Sequence, residues 1–556
     1  TSNPRSSMRD AKNTPRKNVV ENPLKKKLDR RTALSTAGKV AIGVVVAGVV
    51  GGIGGYYLGS SIGRATGRPA GRVEEQIIIG VTDKVSDIDP ANAYDFFTWE
   101  VLTNIMSGLM KYIPGTTQLE LGLAASYTVS EDGKVYTVKL RPNLRFADGT
   151  SLTAHDVVRS IKRVEKIEGD PAWFVLDFLE NVEAIDEQTV KFTLKEPVSF
   201  FPALLAVPTY FPVHPAYKED EIDSDQTAGG AGPYKIVKWV RDVELVLEAN
   251  PYWFEGAPRT KRIVVKFYKD ASALRMALEA GEIDIAWRTL RPSDIQDLKK
   301  KSGIRVLEAA GSFIRYVVFN TNIPPYDDPR VRKALAAAID RKAICEKVYM
   351  GTTDPLYSMI PMGMWSHKDT FKKYGDHNID LARKLLSEAG YSESNKLKVE
   401  LWYTPTHYGD TEVDLATLLK QMWEETGMVE VDIKSAEWTT YLDYTRKGNL
   451  GVTLYGWYPD YIDPDDYTSP FVNEAGRWLG RAYVSEELGR LLTEARTKTS
   501  IEERTAIYEK VQEIWADDCV IVPLVQGRLY LACREGVEGI VLDPTLLLRY
   551  WLIYKK

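Results

Sequence analysis

The chain has 556 residues, 44% of them hydrophobic and 27% charged, with a formal net charge of −5. This length allows several folding units or one large body with two lobes, and the composition excludes disorder over most of it. Charge is uneven: residues 1–39 hold eleven basic side chains against three acidic ones, so the remainder is acidic and lacks the basic face that nucleic-acid phosphates require.

In chain order, residues 1–39 read as a basic cytoplasmic tail. From Val40 to Gly63 there is no charged residue. A helix crossing a bilayer needs about 20 such residues, and the many glycines here are better tolerated in a membrane helix than in a soluble one. The run is expected to be a transmembrane anchor or a signal segment. The heavier basic side stays inside, which places the body outside the cytoplasm. Arg30-Arg31 resembles a twin-arginine export signal, with Ala33 where a large apolar residue is usual. Gly59-Ser60-Ser61-Ile62-Gly63 satisfies the G-x-S-x-G pattern, but no strand precedes it, so it fails as a nucleophile elbow. Residues 64–75 read as a linker.

The body alternates strands and helices. EEQIIIGV (74–81), VYTVKLRP (135–142) and TVKFTL (189–194) carry strand patterns. Thr153 and Asp156 have the spacing of a capping box, followed by an apolar stripe at Val157, Val158, Ile161 and Val164. Asp328-Pro329 is a helix start, with the cap before a proline whose missing N–H costs nothing there. A helix over 381–389 ends at Gly390. KVELWY (398–403) and GVTLYGW (451–457) are strands, and a helix over 502–516 turns Ile507, Val511 and Ile514 inward. Cys345, Cys519 and Cys533 make no disulfide framework; Cys519 and Cys533 could pair, and buried thiols are the simpler reading.

Five ordered blocks carry a resemblance. They are Leu140–Val158 (LRPNLRFADGTSLTAHDVV), Gly230–Tyr234 with Asn250–Phe254, Ala280–Asp284, Asp328–Arg341 (DPRVRKALAAAIDR), and Gly456–Pro464 (GWYPDYIDP). Together they resemble the extracytoplasmic solute-binding proteins of ABC importers, in the dipeptide/oligopeptide/nickel family. The resemblance implies an α/β, two-lobed periplasmic-binding-protein-like fold with an extra subdomain, here joined to an N-terminal transmembrane helix. Lobe I would comprise 76–311, with an inserted subdomain at 113–229, and the return segment 522–556. Lobe II would be 312–521, with hinges near Gly311 and Pro523. The implied partners are a peptide or oligosaccharide ligand, ABC permease subunits, and the membrane through the N-terminal helix.

The resemblance also assigns site residues. Asp460 would receive the ligand's α-ammonium, since a buried cation must be paired. The rival role is a loop cap, because Asp463, Asp465 and Asp466 cluster beside it. Trp457, Tyr458 and Tyr461 surround it, and strand alternation sends one of Trp457 and Tyr458 into the cleft and the other into the core. Tyr94, Trp173 and Phe174 would supply the facing wall. Leu454 stands where some oligopeptide binders carry an arginine for the ligand carboxylate, and Arg446 is out of register, which points away from recognition of a free C-terminus. No cofactor, metal or catalytic motif is found, and the five histidines are scattered. The expected role is binding rather than catalysis, with a cleft glycoside hydrolase as the rival class.

Overall fold

The computed structural model describes residues 76–556, apart from Ser86, Thr406, residues 473–478 and Gly480. The tail, apolar run and linker expected within 1–75 lie outside the described residues. Among the described residues, no helix is long and apolar enough to cross a membrane.

An eleven-stranded mixed sheet runs through the body. We label ten of its strands β1 (Gln76–Val81), β2 (Tyr234–Val240), β3 (Glu244–Ala249), β4 (Arg262–Phe267), β5 (Ile285–Trp287), β6 (Ile304–Phe319), β7 (Leu397–Tyr403), β8 (Val429–Ser435), β9 (Val452–Trp457) and β10 (Ile521–Arg534). Their spatial order is β8-β7-β9-β6-β10-β5-β1-β4-β3-β2, with Thr353–Pro355 paired to β10 outside this path. β1 lies parallel to β4 and β5, and β7 lies parallel to β8 and β9. Such inner strands read as continuous apolar runs because both faces are covered. Ile77, Ile79 and Val81 of β1 and all six residues of β9 are buried. Each buried aliphatic side chain contributes about 1.5–3 kcal/mol through the area removed from water.

Apolar residues gather into two large cores. One holds β1, β4, β5 and most of the chain up to Tyr234. The other holds most of 314–525. β6 and β10 pass from one core to the other, pairing antiparallel along nearly their whole length. Their register breaks between Ala310 and Ile314, at the passage. Gly311 and Gly527 face each other there: a Cβ on Gly311 would sit 2.4 Å from the Gly527 carbonyl, and one on Gly527 would enter the Phe313 ring. The crossing strands approach this closely because neither position has a side chain.

A separate four-stranded antiparallel sheet (Ala124–Val129, Val135–Leu140, Thr189–Leu194 and Leu179–Ala184, in that spatial order) belongs to the first core. A helix we call α2 (Ala154–Ile167) also buries its stripe in that core; α1 is Phe96–Ile105. The capping box forms as expected, with the Asp156 carboxylate accepting from the Thr153 N–H at 2.8 Å. The Asp328 cap also forms, opening α3 (Pro329–Ala337). In the last long helix, α4 (Ile501–Asp518), Val511 enters the second core and Ile507 and Ile514 pack against it as expected, and polar residues share the inward face. Arg504, Tyr508, Val511, Gln512 and Trp515 are buried, while Ile507 and Ile514 are half-buried. Polar groups occupy this face because ion pairs and hydrogen bonds satisfy them, as the site below shows. All three cysteines are buried free thiols, so Cys519 and Cys533 do not pair.

Candidate functional site: an aromatic cleft around Asp460

Two loops, one from each core, meet at the site. The loop before α1 is held from behind. Arg163 of α2 grips the Asp89 carboxylate with two hydrogen bonds of 2.7 and 2.5 Å, with both side chains buried. Asp89 also accepts from the Ala91 N–H at 3.0 Å, and Asp95 caps α1 by accepting from Thr98 N–H at 2.8 Å. Breaking a buried pair like Arg163–Asp89 costs about 3–5 kcal/mol. Tyr94 projects between these fixed points and is 40% exposed.

The second loop follows β9. Its four aspartates have different partners. Asp463 caps the turn Pro464–Tyr467 by accepting from Asp465 N–H at 2.9 Å, and Arg504 of α4 holds it with two hydrogen bonds. Asp465 takes two hydrogen bonds of 2.9 Å from Arg496 and one of 2.8 Å from the Tyr461 hydroxyl. Burial would raise the Asp465 carboxyl, but the Arg496 guanidinium outweighs it and holds the group below the usual carboxylate range. Asp466 is fully buried and accepts from the Trp457 indole at 3.2 Å and from the Asp460 N–H at 3.0 Å. Asp460 caps nothing. Its half-buried carboxylate accepts from the Tyr94 hydroxyl at 2.8 Å, across from the first core. Burial pushes it up to about 7, against a smaller downward pull from that hydrogen bond.

Asp460 borders a cleft of about 1350 Å³. Six of the seven sequence-derived candidates line it: Tyr94, Trp173, Trp457, Tyr458, Asp460 and Tyr461. The alternation at the end of β9 resolves in one direction. Both residues border the cleft, but Trp457 packs into the second core against Phe471, at 5.0 Å between ring centres, whereas Tyr458 lies between Phe313 (5.4 Å, stacked) and Phe96 (5.2 Å). Tyr461 is buried and stacks on Phe200 at 4.9 Å. Trp173 stacks on Phe174 at 3.8 Å. Phe174 itself is wholly buried in the first core and supports Trp173 and Tyr94 from behind rather than lining the cleft.

Several cleft residues escaped the sequence reading. Arg315 of β6 lies opposite Gly456, where a Cβ would sit 2.4 Å from its Nη1. Its guanidinium covers the Tyr408 ring at 3.9 Å and pairs with the buried Glu412. An arginine inside the apolar strand Ile314–Phe319 was the available signal, because a charge there must be paired. Arg288 holds the Leu546 carbonyl at 2.8 Å and packs over Phe96. His407 stacks flat on Trp438 at 3.6 Å, and burial together with Arg315 lowers its imidazole to about 4, so it stays neutral. Arg446 does line the cleft, although the spacing put it out of register. Among the described residues, no group of three or more metal-ligating side chains occurs.

A mixed α/β body with two cores and a wide aromatic cleft between them defines the class of solute-binding proteins. The model for bacterial extracellular solute-binding proteins, family 5 Middle, matches residues 118–478. The chain belongs to that family. The probable D,D-dipeptide-binding periplasmic protein DdpA of Escherichia coli (strain K12) is 28% identical over 486 residues, 85% of this chain and 92% of that protein. Heme-binding protein A of Haemophilus influenzae is 28% identical over 473 residues, 79% of this chain and 85% of that protein. Among solved structures, the ABC transporter substrate-binding protein CtaP of Listeria monocytogenes superposes with a TM-score of 0.76. It has 28% sequence identity and covers 86% of this chain and 99% of its own.

Proposed function

We propose that this protein is the extracytoplasmic binding component of an ABC importer, that it captures peptides by a free amino end, and that it delivers them intact to permease subunits. In this reading it is not an enzyme, and residues 40–63 tether it or direct its export. Residues 76–311 with 522–556 form one lobe, 312–521 form the other, and β6 and β10 act as the hinge. A ligand favours closure by touching both lobes at once.

The observation that carries this reading is the Asp460 carboxylate. It faces the cleft, is lifted by burial, and is in no ion pair with a described residue, whereas Asp463 and Asp465 each have an arginine. An ammonium ion is the partner such a group lacks. The rings of Tyr94, Trp173, Phe313 and Tyr458 offer faces for the rest of the ligand, sequence-tolerantly. Kinship to a D,D-dipeptide-binding relative supports the peptide choice.

The test is to load the purified protein with mixed di- to pentapeptides, isolate the complex, and identify the released ligand by mass spectrometry. Intact peptides with free amino ends are expected. Recovery of hydrolysed fragments, or of no peptide, would refute the reading.

A further inference from the structure

Two tyrosines are exchanged across the boundary between the cores. Tyr461 follows β9, among residues that mostly build the second core, yet it is 3% exposed and belongs to the first. Tyr112 ends the strand Met110–Tyr112 on the other side of that boundary, yet it belongs to the second core, and its hydroxyl accepts from the Ile462 N–H at 3.1 Å. The Tyr461 ring stacks on Phe200 at 4.9 Å and 16° and meets the edge of Phe174 at 6.4 Å. Beside it, the Arg496 guanidinium lies over the rings of Phe178 and Phe200 at 5.4 and 5.7 Å, and the Arg496 carbonyl accepts from the Ser199 N–H at 2.9 Å. Phe174, Phe178, Ser199 and Phe200 all lie within 113–229, the stretch read above as the inserted subdomain.

Asp465 makes the two seated groups one unit, because it accepts from both the Arg496 guanidinium and the Tyr461 hydroxyl. Asp460 is the chain neighbour of Tyr461, and with that ring seated its carboxylate meets the Tyr94 hydroxyl at 2.8 Å. Parting the lobes would draw the Tyr461 ring out of an apolar seat and strip Arg496 of its aromatic faces, which costs free energy whatever the cleft holds.

Resting on the reading of the chain as two lobes that part and close, we propose that Phe178 and Phe200 are positioning residues, a clasp for Tyr461 and Arg496 that holds the lobes together by protein contacts alone and sets Asp460 against the first lobe. The clasp gives the ligand-free protein a closed population, and the ligand stabilises that population. Apparent affinity then scales with the closed fraction. Static packing at the same rings would leave that fraction untouched.

The test measures lobe separation in the full chain, solubilised in mild detergent, by pulsed electron paramagnetic resonance between spin labels at Glu131→Cys and Lys396→Cys. Both positions are exposed, and the three native thiols are buried. Without peptide the labelled protein should show two separations, the shorter one matching that found with saturating mixed di- to pentapeptides. Phe200→Leu keeps an apolar side chain but removes the stacked ring, and should lower the closed-to-open ratio about 2- to 12-fold, the equivalent of one stacked aromatic pair. Phe178→Leu, which removes one of the faces under Arg496, should lower it in the same direction. In calorimetry, both variants should bind a free-amine peptide and its N-acetylated form more weakly by one common factor, since closure serves both. If the ratio is the same in all three proteins, or the wild type without peptide shows only the longer separation, the rings are static packing and the proposal falls. A loss confined to the free-amine peptide in Phe200→Leu also overturns it, because the effect then lies at the Asp460 charge and not at closure. If no peptide moves the distances in any of the three, peptide capture falls, and the clasp is still decided by whether the ligand-free ratio drops in Phe200→Leu.

Discussion

Asp460→Asn isolates one charge at constant shape. Burial lifts this carboxyl from 3.8 to about 7. Holding it ionised in the empty cleft therefore costs up to about 4 kcal/mol relative to water, a ceiling because the side chain is half-buried and solvent screens part of it. A bound ammonium relieves that cost. Removing the charge should weaken peptides with a free amino end by about 2–4 kcal/mol, roughly 30- to 1,000-fold, the range for breaking a buried charge pair. In the wild type, affinity should fall about tenfold for each pH unit below about 7, because the ammonium then competes with a proton. Calorimetry with free and N-acetylated versions of one peptide is the assay. The wild type should prefer the free amine, and Asp460→Asn should bind both alike. Equal discrimination by both proteins would refute the assignment.

Three further outcomes follow from the same geometry. Tyr94→Phe removes the hydroxyl that favours ionised Asp460, so the pH below which peptide affinity declines should move upward; a calorimetric pH series reads it, and an unchanged or lower midpoint contradicts the role of that hydrogen bond. Phe174→Ala should cost about 3–5 kcal/mol of stability by leaving a core cavity, with a peptide affinity of the folded protein close to wild type; denaturant unfolding and calorimetry separate the two. Stability also depends on pH through Asp460. A raised carboxyl stabilises the fold fully below its unfolded value near 4, and that contribution is lost as pH rises to about 7, so Asp460→Asn should gain on the wild type in urea midpoints between pH 5 and pH 8. A gap that narrows as pH rises would reverse the sign.

Much of the scaffold was legible because its signals are local. The Thr153–Asp156 box, the Asp328-Pro329 start and the β9 strand each depend on residues within a few positions, and all form as expected. The aromatic and acidic run 457–466 was legible as a site, and the alternation rule put one of Trp457 and Tyr458 into the core, although both border the cleft. Which one was decided at long range, by Phe471 on one side and by Phe313 and Phe96 on the other. Long-range pairing also explains what was missed. Arg315 reaches the cleft because the β6–β9 register sets it against Gly456, and no spacing within either segment encodes that register. Phe174 sits beside Trp173 in sequence, yet the tertiary packing of Tyr210 and Tyr461 decides that it faces the core. The division of the four loop aspartates is similar. Arg496 and Arg504, far along the chain, select Asp465 and Asp463 and leave Asp460 and Asp466 without an ion pair to any described residue.

Thermal melting of the protein against matched panels of free-amine peptides, N-acetylated peptides and oligosaccharides probes peptide capture most directly. A free-amine peptide at a hundred times its dissociation constant should add about 2.7 kcal/mol of stability, and the other two panels should add much less. Stabilisation by oligosaccharides with none from peptides would contradict capture by an amino end at Asp460.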